Sequence, residues 1–250
     1  MEQLIQRSSG LARARRHGLL AWCRPIQLGD NLGEFVIVLA HFPFYPCVTI
    51  STVKLLIFSD IHNNWKTLEQ LLTVEADFYI SAGDQVSWGK GLDRCGQILQ
   101  TRGDKVWVLP GNHESAGQIA ALCEQYGLND FHGRHFLAGG HQIAGLGYSS
   151  RTPFDTPGEY TEDELRDRLK PFAELRPLVL ICHAPPYGTE LDQIKPGLHG
   201  GSAAVRQFID DYQPPHFFCG HIHEAEGKAI EIGKTRARNV GKKGYLLELD

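Results

Sequence analysis

"LLIFSDIHNN", residues 55–64, opens on four apolar residues in a row and ends by placing Asp60 and His62 together. Such a run fits a strand of a parallel sheet that is covered on both faces. A charge carried in by that strand costs several kcal/mol to bury unless it is paired or binds a metal. Asp-x-His is also an ordinary surface turn, so its meaning depends on what the rest of the chain brings to it.

From Lys54 onward the pattern is regular. A strand over 54–60 is followed by an amphipathic helix over 65–74, a strand over 77–84, a helix near 90–101, a strand over 105–112 and a helix over 115–127 that stops at Gly127. Residues 141–148 read as a strand, and 161–169 as a helix with a Thr cap and acids in its first turn. Two more strands end in 177–186 and 215–223, flanking a helix over 202–212 that is capped by Ser202. The tail segments AIEIG, TRARNVG and GYLLELD read as short strands in a hairpin series. Strands alternating with helices predict an α/β fold built on a parallel sheet.

The strand ends carry the chemistry. They finish in Asp60-Ile61-His62, Gly83-Asp84, Gly111-Asn112-His113-Glu114, His183 and Gly220-His221-Ile222-His223. Ligand sites in open α/β sheets lie beyond the carboxyl ends of the strands, so these groups should meet on one rim. Asp60 and His62 are therefore expected to be metal ligands. Mixed carboxylate, amide and imidazole donors favour Mn, Fe or Zn over Ca or Mg, and Mn is the first expectation. Two such ions about 3.5–4 Å apart activate water and clamp a phosphoryl group. The chain has no Walker loop, no GxGxxG and no GxSxG, which argues against NTPase, nicotinamide and serine-hydrolase chemistry.

The series D-x-H, G-D-x-x, G-N-H-E, H and G-H-x-H, spread over residues 54–250, resembles the calcineurin-like metallophosphoesterases. TPFDTPGEYTEDEL (152–165), HAPPYGTELDQIKPGLHGGSAAVRQFI (183–209) and CGHIHEAEGK (219–228) are similar to the Icc-like phosphoesterase branch. The resemblance implies a four-layer αββα sandwich with a dinuclear metal site at the carboxyl ends of its strands. It implies Asp60, His62 and His223 as ligands of one divalent ion, Asn112, His183 and His221 as ligands of the other, and Asp84 as the bridge. His113 would be the unliganded imidazole facing substrate, with Asn112 also near the phosphate. One departure stands out. Ser87 occupies the place, three residues after Asp84, where the family often has Asp or Asn. This outer position bears on tuning more than on metal binding.

The expected activity is a metal-dependent phosphohydrolase, foremost a phosphodiesterase, with His113 assisting the leaving group. Its substrate would be a small phosphate ester. The alternatives are a phosphomonoesterase, a nuclease or, in a different class, a protein-interaction scaffold on the same fold. A net charge of −4 offers no electrostatic case for nucleic acid or an acidic membrane surface. Six cysteines without a CxxC read as reduced thiols, which favours the cytoplasm. Cys182 and Cys219, beside ligand residues, read as small buried apolar side chains. His199-Gly200-Gly201-Ser202 precedes a helix and is either a receiver for a substrate anion through His199 and Ser202 or a simple N-cap. Asn63 either orients His62 or serves as a turn residue.

Residues 1–52 differ from residues 53–250. They hold five Arg, no Lys and three acids, whereas residues 53–250 hold ten Lys, ten Arg and 26 acids. This N-terminal extension carries three readings. It is an Arg-rich targeting segment, a membrane span over the uncharged residues 35–53, or a mis-called start upstream of Val53. Pro43, Pro46 and His41 argue against the span. No membrane association is expected, and residues 53–250 are expected to form the phosphoesterase domain.

Overall fold

The computed structural model describes residues 52–250. The three readings of the N-terminal extension lie outside the described residues. Strands β1 (Val53–Phe58), β2 (Phe78–Ala82), β3 (Val106–Leu109) and the two-residue β4 (Asn129–Asp130) run parallel, joined by helices α1 (Trp65–Leu71), α2 (Leu92–Leu99) and α3 (Ala116–Tyr126). The chain continues through β5 (Arg134–Ala138), β6 (His141–Leu146), β7 (Ser149–Ser150), β8 (Glu159–Tyr160) and α4 (Glu162–Leu169). It then forms β9 (Leu178–Cys182), β10 (Gln193–Lys195), β11 (Leu198–His199), α5 (Ala203–Tyr212) and β12 (His216–Cys219). β13 (Ala229–Ile232), β14 (Thr235–Asn239) and β15 (Tyr245–Leu249) complete it.

Two large sheets result, in the orders β15-β1-β2-β3-β4 and β13-β14-β12-β9-β6-β5, beside the two-stranded pairs β7-β8 and β10-β11. Alternation along each central strand sorts its side chains between two faces. Leu55 and Ile57 of β1 pack with Val179 and Ile181 of β9 between the sheets. Leu56 and Phe58 point the other way, onto Leu68 of α1 and Ile119 of α3. On the far side, Leu178 and Leu180 meet Leu165 of α4 and Val205 of α5. Helices, sheet, sheet and helices therefore stack as the expected αββα sandwich, and the LLIF run is buried on both faces.

Local differences have local causes. α1 ends at Leu71, three residues early, before Thr73 and Val74, whose β-branching disfavours helix. The helix near 90–101 starts only at Leu92 because Gly91 adopts φ +99°, a left-handed conformation outside helical space. Both sheets are mixed rather than purely parallel. β13 and β14 form the expected hairpin, but β15 leaves it, crosses to the first sheet and pairs antiparallel with β1. Leu247 and Leu249 are thereby buried between the sheets.

Candidate metal centre

The carboxyl ends of β1, β2 and β3 meet those of β9 and β12 on one edge of the sandwich. Backbone contacts hold this edge together. His221 N–H donates to the Asp60 carboxylate at 3.0 and 3.1 Å, and Gly220 N–H donates to the His183 carbonyl at 3.2 Å. The loops leave the sheets through unusual conformations. Asp60, His62, Asp84 and His221 all have φ between 44° and 69°, in the left-handed region that non-glycine residues avoid. Strained backbone clustered in this way marks a functional site. Close approach is also required: a Cβ on Gly111 would lie 2.0 Å from Asp84 Oδ1, and one on Gly220 would lie 2.1 Å from Ser59 Oγ.

Seven predicted ligands are brought together. Asn112 Oδ1 lies 3.2 Å from His183 Nε2 and 2.9 Å from His221 Nδ1. His183 Nδ1 donates to the Ala82 carbonyl at 2.9 Å, which turns Nε2 towards Asn112 Oδ1 and towards Asp84 Oδ2, 3.4 Å away. On the other side, His62 Nε2 lies 3.0 Å from His223 Nε2 and 3.5 Å from Asp84 Oδ2, and His223 Nε2 lies 3.6 Å from Asp60 Oδ1. Asp84 thus stands between two donor sets. Asp60, His62 and His223 form one cluster with metal-binding spacing, and Asp84, His183 and His221 form another.

The donors fit cations. Imidazole nitrogens, an amide oxygen and carboxylate oxygens converge within metal-binding distance of one another, and a set of nitrogen and oxygen donors suits borderline divalent ions. Burial pushes the Asp60 and Asp84 carboxyls up, but hydrogen bonding and charge from the neighbouring imidazoles outweigh it and hold both below the ordinary carboxylate range. Burial opposes charge on His183, yet the Asp84 carboxylate prevails and lifts it to about 9. His221, desolvated and next to His183, drops to about 4. Two buried anions with converging imidazoles call for positive charge.

His113 occupies the mouth of the site. Its ring stands edge-on to His62, with centroids 4.9 Å apart, and it forms a third cluster with His62 and Asp84. Its backbone N–H donates to Asp84 Oδ1 at 3.0 Å. Ser87 Oγ lies 3.3 Å from His62 Nδ1, so the residue that departs from the family pattern touches a candidate ligand from behind. Asn63 holds the loop that carries Ser87.

The anion-receiver reading of residues 199–202 meets a different arrangement. Ser202 is fully buried, and its hydroxyl donates to Glu162 at 2.8 Å while accepting the Val205 N–H at 3.1 Å, so it acts as a helix cap with no surface for a ligand. His199 donates from Nδ1 to the buried Asp192 at 2.8 Å and lines a cavity of about 520 Å³ with Arg206 and Gln193, which none of the seven ligands lines. Cys182 and Cys219 are buried, with burial pushing both thiols up.

Three supporting residues escaped the sequence reading. Glu114 is fully buried and accepts the N–H groups of Asp84 at 3.2 Å, Gly111 at 3.0 Å and Val86 at 2.9 Å. It braces the β2 and β3 loops against each other; burial and the nearby Asp84 charge push its pKa up, and the N–H groups of Val86 and Gly111 oppose that shift. Thr156 accepts from Asn112 Nδ2 at 3.1 Å and donates to Glu159 at 2.6 Å, which turns Asn112 Oδ1 inward. A buried acid in GNHE was the available signal for Glu114. Thr156 and Glu159 lie in an irregular loop and gave none.

Comparison with known proteins agrees with this geometry. Residues 53–225 match the sequence profile of the calcineurin-like phosphoesterases. The uncharacterized protein MJ1162 of Methanocaldococcus jannaschii is 30% identical over 205 residues, covering 79% of this chain and 92% of that protein. Among solved structures, TT1561 of Thermus thermophilus superposes with a TM-score of 0.58 at 16% identity, over 80% of this chain and all of that one. Phosphopantetheinyl hydrolase (PptH) from Mycobacterium tuberculosis gives a TM-score of 0.54 at 16% identity, over 76% and 89%. At these identities the structural likeness shows the fold.

Proposed function

The chain belongs to the calcineurin-like phosphoesterase family of metal-dependent phosphohydrolases, and we propose that this member is a phosphodiesterase acting on a small phosphate diester. The observation that carries the reading is Asp84, set between two convergent donor sets, with His113 beside it. Asp60, His62 and His223 would hold one divalent ion, Asn112, His183 and His221 the other, with Asp84 shared and Mn the favoured metal. Bound there, two such ions supply charge to a phosphoryl oxygen and lower the pKa of water. Thr156 holds the Asn112 amide so that its Oδ1 faces the second ion's place beside His183 and His221, and His113 offers a ring N–H to the departing oxygen.

The preference for a diester rests on openness. His223 is 54% exposed at its side chain, and the described residues carry no inserted cap domain over this edge that would enclose a small monoester. Nucleic acid is not part of this reading, because residues 53–250 are net acidic. No helix among the described residues is long and apolar enough to cross a membrane. The four described cysteines are free and buried, in keeping with a proposed cytoplasmic location. The test is hydrolysis of bis(p-nitrophenyl) phosphate against p-nitrophenyl phosphate with Mn²⁺, Fe²⁺ or Zn²⁺. A higher kcat/KM for the diester, abolished in Asp84→Ala, is expected. A clear monoester preference overturns the diesterase reading.

A further inference from the structure

Trp88 follows Asp84 by four residues and is 52% exposed, an unusual state for the largest apolar side chain. It sits at the tip of a tight turn, in which Lys90 N–H donates to the Ser87 carbonyl at 3.1 Å. Trp88 and Gly89 have φ of 54° and 64°. Two consecutive positive φ values define a type I′ turn, whose first central position favours Asn, Asp or Gly and disfavours a bulky L-residue. The surroundings nevertheless enforce it. Asn63 spans the turn, accepting from Ser87 N–H at 2.8 Å and donating to the Lys90 carbonyl at 2.7 Å. At the tip, Trp88 N–H donates to His113 Nδ1 at 3.2 Å.

The indole therefore stands in a fixed place. Its ring meets that of His113 edge-on, with centroids 5.3 Å apart and planes at 85°, while half of its surface remains open to solvent. A local rule is broken, and the conformation is over-determined by two side chains of the site, a pattern that belongs to function rather than to stability. An open indole face beside the group that meets the ester is a stacking platform, because aromatic rings gain from offset or edge contacts beyond their buried area.

We propose that Trp88 is a specificity-determining residue that stacks on a flat aromatic ring carried by the phosphate ester, so that the substrate class is an aryl or nucleoside ester. This rests on the phosphodiesterase reading of the adjoining site. The ring lies on the His113 side, that of the departing group. Base-on-aromatic stacking is sequence-tolerant, and the same platform would serve any planar ring.

Calorimetric dissociation constants on the full-length, Mn-loaded chain test this without turnover. The probes are adenosine 5′-monophosphate, phenyl phosphate and ribose 5-phosphate, which share a phosphomonoester and differ in the ring. Wild type should hold at least one ring-bearing ester about 10-fold tighter than ribose 5-phosphate, equivalent to about 1.4 kcal/mol. Trp88→Phe should keep most of that ratio. Trp88→Asn places the favoured residue in the turn, so it should melt no lower than wild type, yet its ratio should fall to about 1. Preference for the adenosine ester identifies a nucleobase, and preference for the phenyl ester a simple aryl group. Equal binding of all three by wild type overturns the proposal. So does a ratio that survives in Trp88→Asn, or an equal weakening of all three esters in that variant. Hydrolysis of bis(p-nitrophenyl) phosphate is followed in parallel: turnover without ring preference sinks this inference alone, whereas ring preference without turnover sinks the catalytic reading and leaves the stacking site.

Discussion

The backbone N–H of Trp88 donates to His113 Nδ1 at 3.2 Å, which fixes the neutral imidazole with its proton on Nε2. An imidazolium would set a second N–H against that of Trp88. The geometry thus favours a ring that donates a hydrogen bond to a departing oxygen over one that transfers a proton outright. A neutral imidazole can act in this electrophilic way. His113→Ala should lower kcat by about 10²-fold, at the low end for such groups. The defect should be smaller for p-nitrophenol, which departs as a stable anion, than for an alkyl alcohol. Elemental analysis of the variant should still give two metals per chain. Loss of metal on the scale expected of Asp84→Ala would make His113 a ligand, as its place in a cluster with His62 and Asp84 allows.

Glu114 offers a different prediction, because it touches no proposed ligand atom yet holds three backbone N–H groups of the ligand loops. Glu114→Gln replaces one carboxylate oxygen with an amide that cannot accept, so at least one buried N–H loses its partner, at about 1–3 kcal/mol. Metal affinity should fall about 10- to 100-fold, as for other groups that orient ligands. Chelator competition measures this, and unchanged affinity would reduce Glu114 to a stability role.

Acid sensitivity should come in part from His132, remote from the metal centre. Its Nδ1 accepts the Gly147 N–H at 3.0 Å and its Nε2 faces the Tyr160 hydroxyl at 3.0 Å, while burial lowers it to about 4. Between about 4 and 6.5 the unfolded chain binds a proton that the folded chain refuses, so stability falls as pH drops through that window. The loss is about 3 kcal/mol in full. Urea unfolding at pH 7 and pH 4 should show wild type losing about that much more than His132→Gln. Parallel losses in the two proteins would remove the argument.

Residues 53–250 are proposed to suffice for the fold and the activity. Val53 pairs with Leu249, and three hydrophobic clusters form among the described residues. A chain beginning at Val53 should be folded, bind metal and match the full-length kcat/KM. Insolubility or a large rate loss would make the N-terminal extension part of the working protein.

The residue types and their order along the chain were legible directly. LLIF announced a strand buried on both faces, and the recurrence of Asp, Asn and His after such strands announced a shared rim, because a parallel sheet sends every such end the same way. What the sequence could not reveal depends on contacts between distant segments. β15 looked like the end of a hairpin series, and only the space beside β1 between the two sheets, filled by Leu247 and Leu249, decides where it pairs. Ser202 looked equally suited to an anion or to a cap until Glu162, 40 residues away, took its hydroxyl. Periodicity reports how a segment is buried but not by what. The tautomer of His113, the inward turn of Asn112 and the exposed indole of Trp88 were likewise settled by groups from other loops, since a hydrogen bond is specified by the position of its partner in space and not by its distance along the chain.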